Sequence, residues 1–301
     1  MLRLFYHLFL LLIRFSGIAF VLRKLVLKNK ISILMYHNPR PAVFEKHLKF
    51  LSKRFHLISM NEFSQVLYKK DAPAIPDYAL VITIDDGWKE NYHLLPVIMK
   101  YKFRPLIFLA SHIVNSERHF WWTESSPEAM GHLKRLPNHK RLEAMQQRFQ
   151  FYPEKEFPGK RQALSGEEIK EMQPWVDFGL HTCFHPVLSQ CSTAQKREEI
   201  GNGKTTLEKM LEQPIEHFAY PNGDYDRESI EILKACGIKT ARTTDAGFNS
   251  RHSDPYTLKI TGVSDTGSVN KLAAEMTGIP LYLQHLFFSR SLNGRKNRHS
   301  R

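Results

Sequence analysis

Runs of consecutive apolar, β-branched residues alternate along this chain with stretches whose apolar positions return every three or four residues. The first pattern marks strands buried on both faces and the second marks amphipathic helices. ISILMYH (31–37) reads as the first strand, and the segment after it places Phe44, Leu48, Leu51 and Phe55 at helical spacing. Residues 59–70 read as a second short helix. The proline-rich DAPAIPDY then leads into ALVITIDDGW (79–88), a strand that ends in Asp85, Asp86 and Gly87. A helix over 89–102 interrupted by Pro96 and a strand at PLIFLA (105–110) continue the rhythm, which residues 111–163 break. That stretch is too long for an ordinary connection and predicts a small helical insertion. Ser165 with Glu168 and Ser192 with Gln195 form capping boxes, the first opening a short helix before Pro174 and the second a longer one over about 193–212. Short apolar runs at 176–186 and 218–225, a helix ending at Gly237, and strands at IKTART and LKITGV (258–263) complete the pattern. About seven strands alternating with helices, with polar residues at the strand ends, predict an α/β barrel or a variant of it.

Composition adds one large core and a direction for partners. At 301 residues and 42% hydrophobic the chain can bury a single core, so one domain over 31–285 with short appendages is expected. The formal net charge of +13 points to an anionic partner. Much of the excess sits at the ends, in Arg23, Lys24, Lys28 and Lys30 and in the tail at Arg290, Arg295, Lys296, Arg298 and Arg301. No aromatic residue interleaves with that tail after Phe288, so residues 286–301 read as a solvated basic tail and not as a specific nucleic-acid surface. Residues 1–30 are rich in Leu and Phe but lack a small-x-small cleavage site, and Arg14 leaves too short an apolar run to span a bilayer. On a helical wheel Arg3, His7, Arg14, Gly17, Lys24 and Lys28 share one sector, the pattern of an amphipathic interfacial anchor for an anionic membrane surface; a helix packed on the protein's own body is the alternative. If the segment did span the membrane, the Lys and Arg after it would hold the following domain on the cytoplasmic side; that side, membrane-associated or soluble, is the expected location, with a periplasmic one left open. Three cysteines, Cys183, Cys191 and Cys236, give no disulfide framework.

Three strand ends carry candidate chemistry. Successive side chains on a strand diverge, so Asp85 and Asp86 are suited to different tasks, one binding a cation and one handling a proton. In VDFGLHTCFHP (176–186), Pro186 disfavours a helix at His185, so His181 and His185 are expected on a strand end running into a turn. Two imidazoles and one carboxylate, with a position open for water, make a three-ligand catalytic metal site that suits Zn²⁺. Cys183, between the two histidines, is not needed as a fourth ligand. FAYPNGDY (218–225) breaks a third run with Pro, Asn and Gly. His37 ends the first strand and is either a site residue or a histidine satisfied by backbone groups. Of Trp121 and Trp122 in the insertion, Trp122 is a candidate for stacking on a sugar ring, with simple burial the competing explanation.

These motifs resemble those of the NodB-like polysaccharide deacetylases, also called carbohydrate esterase family 4. TIDDG is similar to that family's first motif with Ile84 in place of Phe, HTCFHP to its second, and AYPNG to its third in the branch that lacks the usual arginine; ILMYH also fits that branch. The resemblance covers roughly residues 31–265. It implies a distorted (β/α) barrel, one divalent metal on Asp86, His181 and His185, and Asp85 as catalytic base. The implied reaction is removal of an N-acetyl or other N-acyl group from an amino sugar of a polysaccharide or lipid-linked glycan. Tyr220, Pro221, Asn222 and Gly223 would line the substrate site and offer backbone donors to the oxyanion. No late segment matches the family's acid-bearing histidine motif, which leaves His37 as the candidate acid, and Lys259 or Arg242 as the replacement for the missing arginine. A catalytically silent glycan-binding module or an envelope-assembly scaffold on the same barrel are the competing expectations.

Overall fold

A computed structural model describes residues 27–277 apart from positions 70, 72, 73 and 264. Nearly all of the expected interfacial helix at 1–30, the expected domain end at 285 and the basic tail lie outside the described residues. No helix among the described residues is long and apolar enough to cross a membrane.

Nine strands form one sheet: β1 (Ile31–Tyr36), β2 (His56–Leu57), β3 (Ala79–Ile84), β4 (Leu106–Leu109), β5 (Asp177–Leu180), β6 (His217–Ala219), β7 (Thr240–Ala246), β8 (Leu258–Ile260) and β9 (Gly262–Val263). Their order is β8-β7-β6-β5-β4-β3-β1-β9, with β2 added beside β3, and every ladder is parallel. The expected single strand at 258–263 is divided at Thr261. Its first part pairs with β7 and its second with β1, and the Thr261 N–H donates to the Ile33 carbonyl at 2.7 Å. This divided run joins the two edges, so seven strands nearly close into a barrel.

The continuous apolar runs are explained by two separate cores. Ile31, Ile33 and Met35 of β1, Ala79 and Val81 of β3, Leu106 and Phe108 of β4, and Leu258 and Ile260 share one apolar cluster inside the barrel. The alternate residues Leu34, Tyr36, Leu80, Ile82, Ile84, Ile107 and Leu109 belong to a second, larger cluster under the surrounding helices. Both faces of each strand are dry, as an α/β barrel requires.

The helices are α1 (Pro41–Leu51), α2 (Met60–Tyr68), α3 (Leu95–Tyr101), α4 (Pro127–Leu133), α5 (Asn138–Phe149), α6 (Gly166–Met172), α7 (Thr193–Leu211), α8 (Arg227–Ala235) and α9 (Val269–Glu275). The predicted stripe of α1 is buried at Phe44, Leu48 and Leu51. Both predicted capping boxes are formed, and a third, Ser59 with Glu62, opens α2. The expected helix at 89–102 is a 3₁₀ segment, Lys89–Leu94, leading into α3. Pro96 lies in the first turn of α3, where a missing N–H is tolerated. The long connection after β4 does contain two helices, α4 and α5, which gather Trp121, Ala129, Leu133, Met145 and Phe151 into a small core of their own.

Candidate active site

Strand alternation carries Asp85 onto the same face as Ala79, Val81 and Thr83, the barrel interior. There it meets Arg242, which is buried and rises from β7. The Arg242 Nη2 donates to Asp85 Oδ1 at 2.6 Å and to Oδ2 at 2.5 Å. Its Nη1 donates to the Thr243 carbonyl and contacts Met35 Sδ, and the guanidinium lies 5.4 Å from the centre of the Phe108 ring. A buried guanidinium and a buried carboxylate each require the other, because either alone would be a desolvated charge. Of the two replacements expected for the missing arginine, Arg242 is the one that reaches Asp85; Lys259 is exposed on β8, its stem against Gly247.

Asp86 turns away from that pair. It has a left-handed backbone (φ 75°), as does Gly87 (φ 77°), so the chain reverses sharply at the strand end. Asp86 Oδ2 accepts from the Trp88 indole at 2.9 Å, leaving Oδ1 3.5 Å from the Nε2 atoms of both His181 and His185. The His181 Nδ1–H donates to the Ala219 carbonyl at 2.7 Å, which fixes the tautomer and turns the Nε2 lone pair toward Asp86. Burial, then the neighbouring His181, holds His185 well below the ordinary imidazole range. For Asp86, burial works upward, but the close approach of His181 and the field of His185 outweigh it and hold the carboxyl well below the ordinary carboxylate range. A carboxylate oxygen and two imidazole nitrogens thus converge, all within 4.8 Å of one another. Tetrahedral ligands at about 2.0–2.1 Å from a zinc ion stand about 3.3–3.4 Å apart, so the 3.5 Å separations fit such an ion closely. Cys183 is outside this cluster; its thiol contacts the Glu198 carbonyl.

His37 follows β1 and is paired with Asp265, a residue that sequence reasoning missed. Asp265 accepts from the His37 backbone N–H at 2.6 Å and faces its Nδ1 at 3.2 Å. Burial alone would lower the imidazole, but the hydrogen bond to Asp265 and the fields of Asp85, Asp86 and Asp265 raise it to about 9.

The third motif divides. Tyr220 does not offer its side chain: the ring is buried against Phe218 and Tyr225, and its hydroxyl donates to the Tyr256 carbonyl. The Tyr220 N–H donates to the Arg242 carbonyl and that of Gly223 to the Tyr220 carbonyl, while Pro221 has none. No bond of this kind holds the Asn222 N–H among the described residues. Asn222 is itself left-handed (φ 59°), and its side-chain oxygen accepts from Lys134, the C-cap of α4, at 3.0 Å. Gly223 (φ 76°) could not be another residue without movement, since an added Cβ would lie 2.0 Å from Thr244 Oγ1. Gly223→Ala is expected to cost about 1–3 kcal/mol in chemical denaturation. The control is Gly131→Ala in α4, where a Cβ meets nothing within 4 Å and stability should be unchanged or slightly raised.

The insertion reaches the site directly. The Trp121 indole is buried and donates to the His185 carbonyl at 3.0 Å, so burial explains this residue. Trp122 is half-buried, with its ring centre 4.3 Å from that of His185.

A parallel barrel with its working groups gathered at the carboxyl ends of the strands is the architecture of an enzyme. A sequence model of the polysaccharide deacetylase family matches residues 73–241, more than half of the chain. The chain belongs to the polysaccharide deacetylase family. Among solved structures, a deacetylase of Streptococcus pyogenes, PplD, is similar with a TM-score of 0.61 and 21% identity, over 83% of this chain and 99% of that one. IcaB of Ammonifex degensii is similar at 0.61 and 19%, over 83% and 97%. A polysaccharide deacetylase of Bacillus cereus is similar at 0.60 and 20%, over 83% and 69%. No curated protein matches this sequence.

Proposed function

We propose that the protein is a metal-dependent hydrolase removing the N-acetyl, or another small N-acyl, group from an amino sugar of a polysaccharide or lipid-linked cell-envelope glycan. The observation that carries this reading is the pair of adjacent carboxylates with separate partners, Asp85 on Arg242 and Asp86 on two histidines. Asp86, His181 and His185 would hold one divalent ion, for which Zn²⁺ is the best fit. Such an ion supplies Lewis acidity toward the acyl oxygen and a more acidic water. Asp85, oriented by Arg242, takes the proton of the attacking water as general base. The Asn222 N–H would steady the oxygen of the tetrahedral intermediate. His37, held as imidazolium by Asp265, gives its proton to the leaving nitrogen, so that amide and water become amine and carboxylic acid. Trp122 would form an apolar wall against the sugar or the acyl methyl group.

Acetate or formate release from short N-acylated glycans, soluble and lipid-linked, tests this reading. Release from at least one amino-sugar substrate supports it, and silence on the whole panel with metal present contradicts it. Residues 1–28 and the basic tail are further proposed to hold the enzyme on an anionic membrane surface, on the cytoplasmic side. Co-sedimentation with anionic vesicles that is lost on deleting residues 1–28 is the expected result.

The acid also predicts a pH dependence. His37 must be protonated, so its contribution is full at low pH and is lost as pH rises through its pKa. A cation at the ligand cluster opposes the pull of Asp86, which sets the alkaline limb of kcat between the ordinary 6.5 and about 9. In Asp265→Asn the main upward influence is removed while burial remains, so the limb should move down by roughly one unit or more. A limb that stays in place in that variant assigns the acid elsewhere.

A further inference from the structure

The turn that carries the two histidines has a counterpart on α7 that the proposed chemistry does not use. Glu199 Oε2 accepts from the backbone N–H of Cys183 at 2.8 Å and from that of Phe184 at 3.0 Å. These are successive amides in the middle of the loop between the ligands His181 and His185. Two adjacent N–H groups converging on one oxygen form an anion nest, and here a side-chain carboxylate fills it. The loop needs such an anchor. Thr182 (φ 65°) and His185 (φ 57°) are both left-handed, an uncommon state for residues with a Cβ and a costly one for β-branched threonine.

Several other polar groups of the loop have partners of their own. The Thr182 and Cys183 carbonyls accept from the N–H groups of Ser111 and His112, and the His185 N–H donates to Thr182 Oγ1. The Trp121 indole takes the His185 carbonyl. Among the described residues Glu199 alone holds the two central amides, and it does so from a helix that sits close. Gly203, one turn further along α7 on the same face, is where the helix meets β5: a Cβ there would lie 2.9 Å from Leu180 Cδ1 and 3.2 Å from Ser111 Oγ. Burial raises the Glu199 carboxyl to about 6, with the two amides and the neighbouring Arg141 of α5 pulling it down. Arg141 is itself buried, 4.5 Å from the centre of the Trp121 ring.

We infer that Glu199 is a positioning residue for the metal ligands: by clamping the amides of Cys183 and Phe184 it holds His185 in register with His181 and Asp86. The inference rests on the proposed ligand set. It differs from a general packing role because the clamp requires an oxygen acceptor at full glutamate length and does not require the charge.

The test is Zn²⁺ affinity by chelator competition, together with the visible absorption of the Co²⁺-substituted protein, for wild type, Glu199→Gln, Glu199→Asp and Glu199→Ala. Glu199→Gln keeps an amide oxygen in place and should hold Zn²⁺ within a few-fold of wild type with the same Co²⁺ spectrum. Glu199→Asp, one methylene short, and Glu199→Ala should weaken Zn²⁺ about 10–100-fold, the range for partners that orient metal ligands, and alter the spectrum. Should Glu199→Ala fail to fold, the contrast between Gln and Asp decides. An Asp or folded Ala variant that binds Zn²⁺ as tightly as wild type with an unchanged spectrum overturns the inference while the ligand set stands. A wild type that takes up neither ion contradicts the ligand set itself, and the inference falls with it.

Discussion

Asp85→Asn is expected to lower the turnover of N-acylated glycan by about 10²–10⁴-fold, the usual contribution of a positioned base, while metal content stays at the wild-type level. The separation follows from geometry. Asp85 lies on the interior face of its strand with both oxygens on Arg242, and the oxygen facing the two histidines belongs to Asp86, which leaves the strand through a left-handed turn. An asparagine fits the same space and still accepts one hydrogen bond from the guanidinium, but it cannot take a proton from water. Equal losses of metal and activity in this variant would mean that the two aspartates do not divide the work.

The second large effect concerns stability. Arg242→Met removes the cation bonded to a carboxylate that is almost wholly buried, and breaking such a pair from one side costs about 3–5 kcal/mol. Combining it with Asp85→Asn removes the stranded charge as well, so the double variant should recover part of the loss in urea denaturation and none of the activity. That non-additivity distinguishes a mutually dependent pair from two independent packing defects. A single variant within about 1 kcal/mol of wild type would show that Arg242 is not what keeps Asp85 in place.

The barrel was legible because its strands are dry on both faces. ISILMY and ALVITI could scarcely be anything else, and each ends where polar residues begin. Asp85, Asp86, His181 and His185 could be found for a related reason: Asp85 and His181 follow directly on a strand, and Gly87 and Pro186 mark the turns beside Asp86 and His185. Other parts of the site carry no local signal. Arg242 and Lys259 looked equivalent in sequence, and only closure of the sheet decides which one faces inward. Asp265 pairs with His37 across 228 positions, and Glu199 is one acidic residue among several on a polar helix. Tyr220 misled for the opposite reason. A tyrosine in a polar strand-end motif suggests a substrate contact, yet its neighbours Phe218 and Tyr225 draw the ring into the core and leave the loop only its backbone. The division of 258–263 into two strands was likewise hidden, because a run that pairs with a different neighbour at each end reads as one continuous strand.

A metal on Asp86, His181 and His185 working beside a separate base is best checked by zinc titration of the metal-stripped enzyme, with acyl release followed at each addition. Activity is expected to return in step with about one equivalent per chain. Asp85→Asn should take up the same equivalent without turning over, and His181→Ala should take up none tightly. Full activity in the metal-free protein, or an unchanged titration in His181→Ala, would rule out this division of roles.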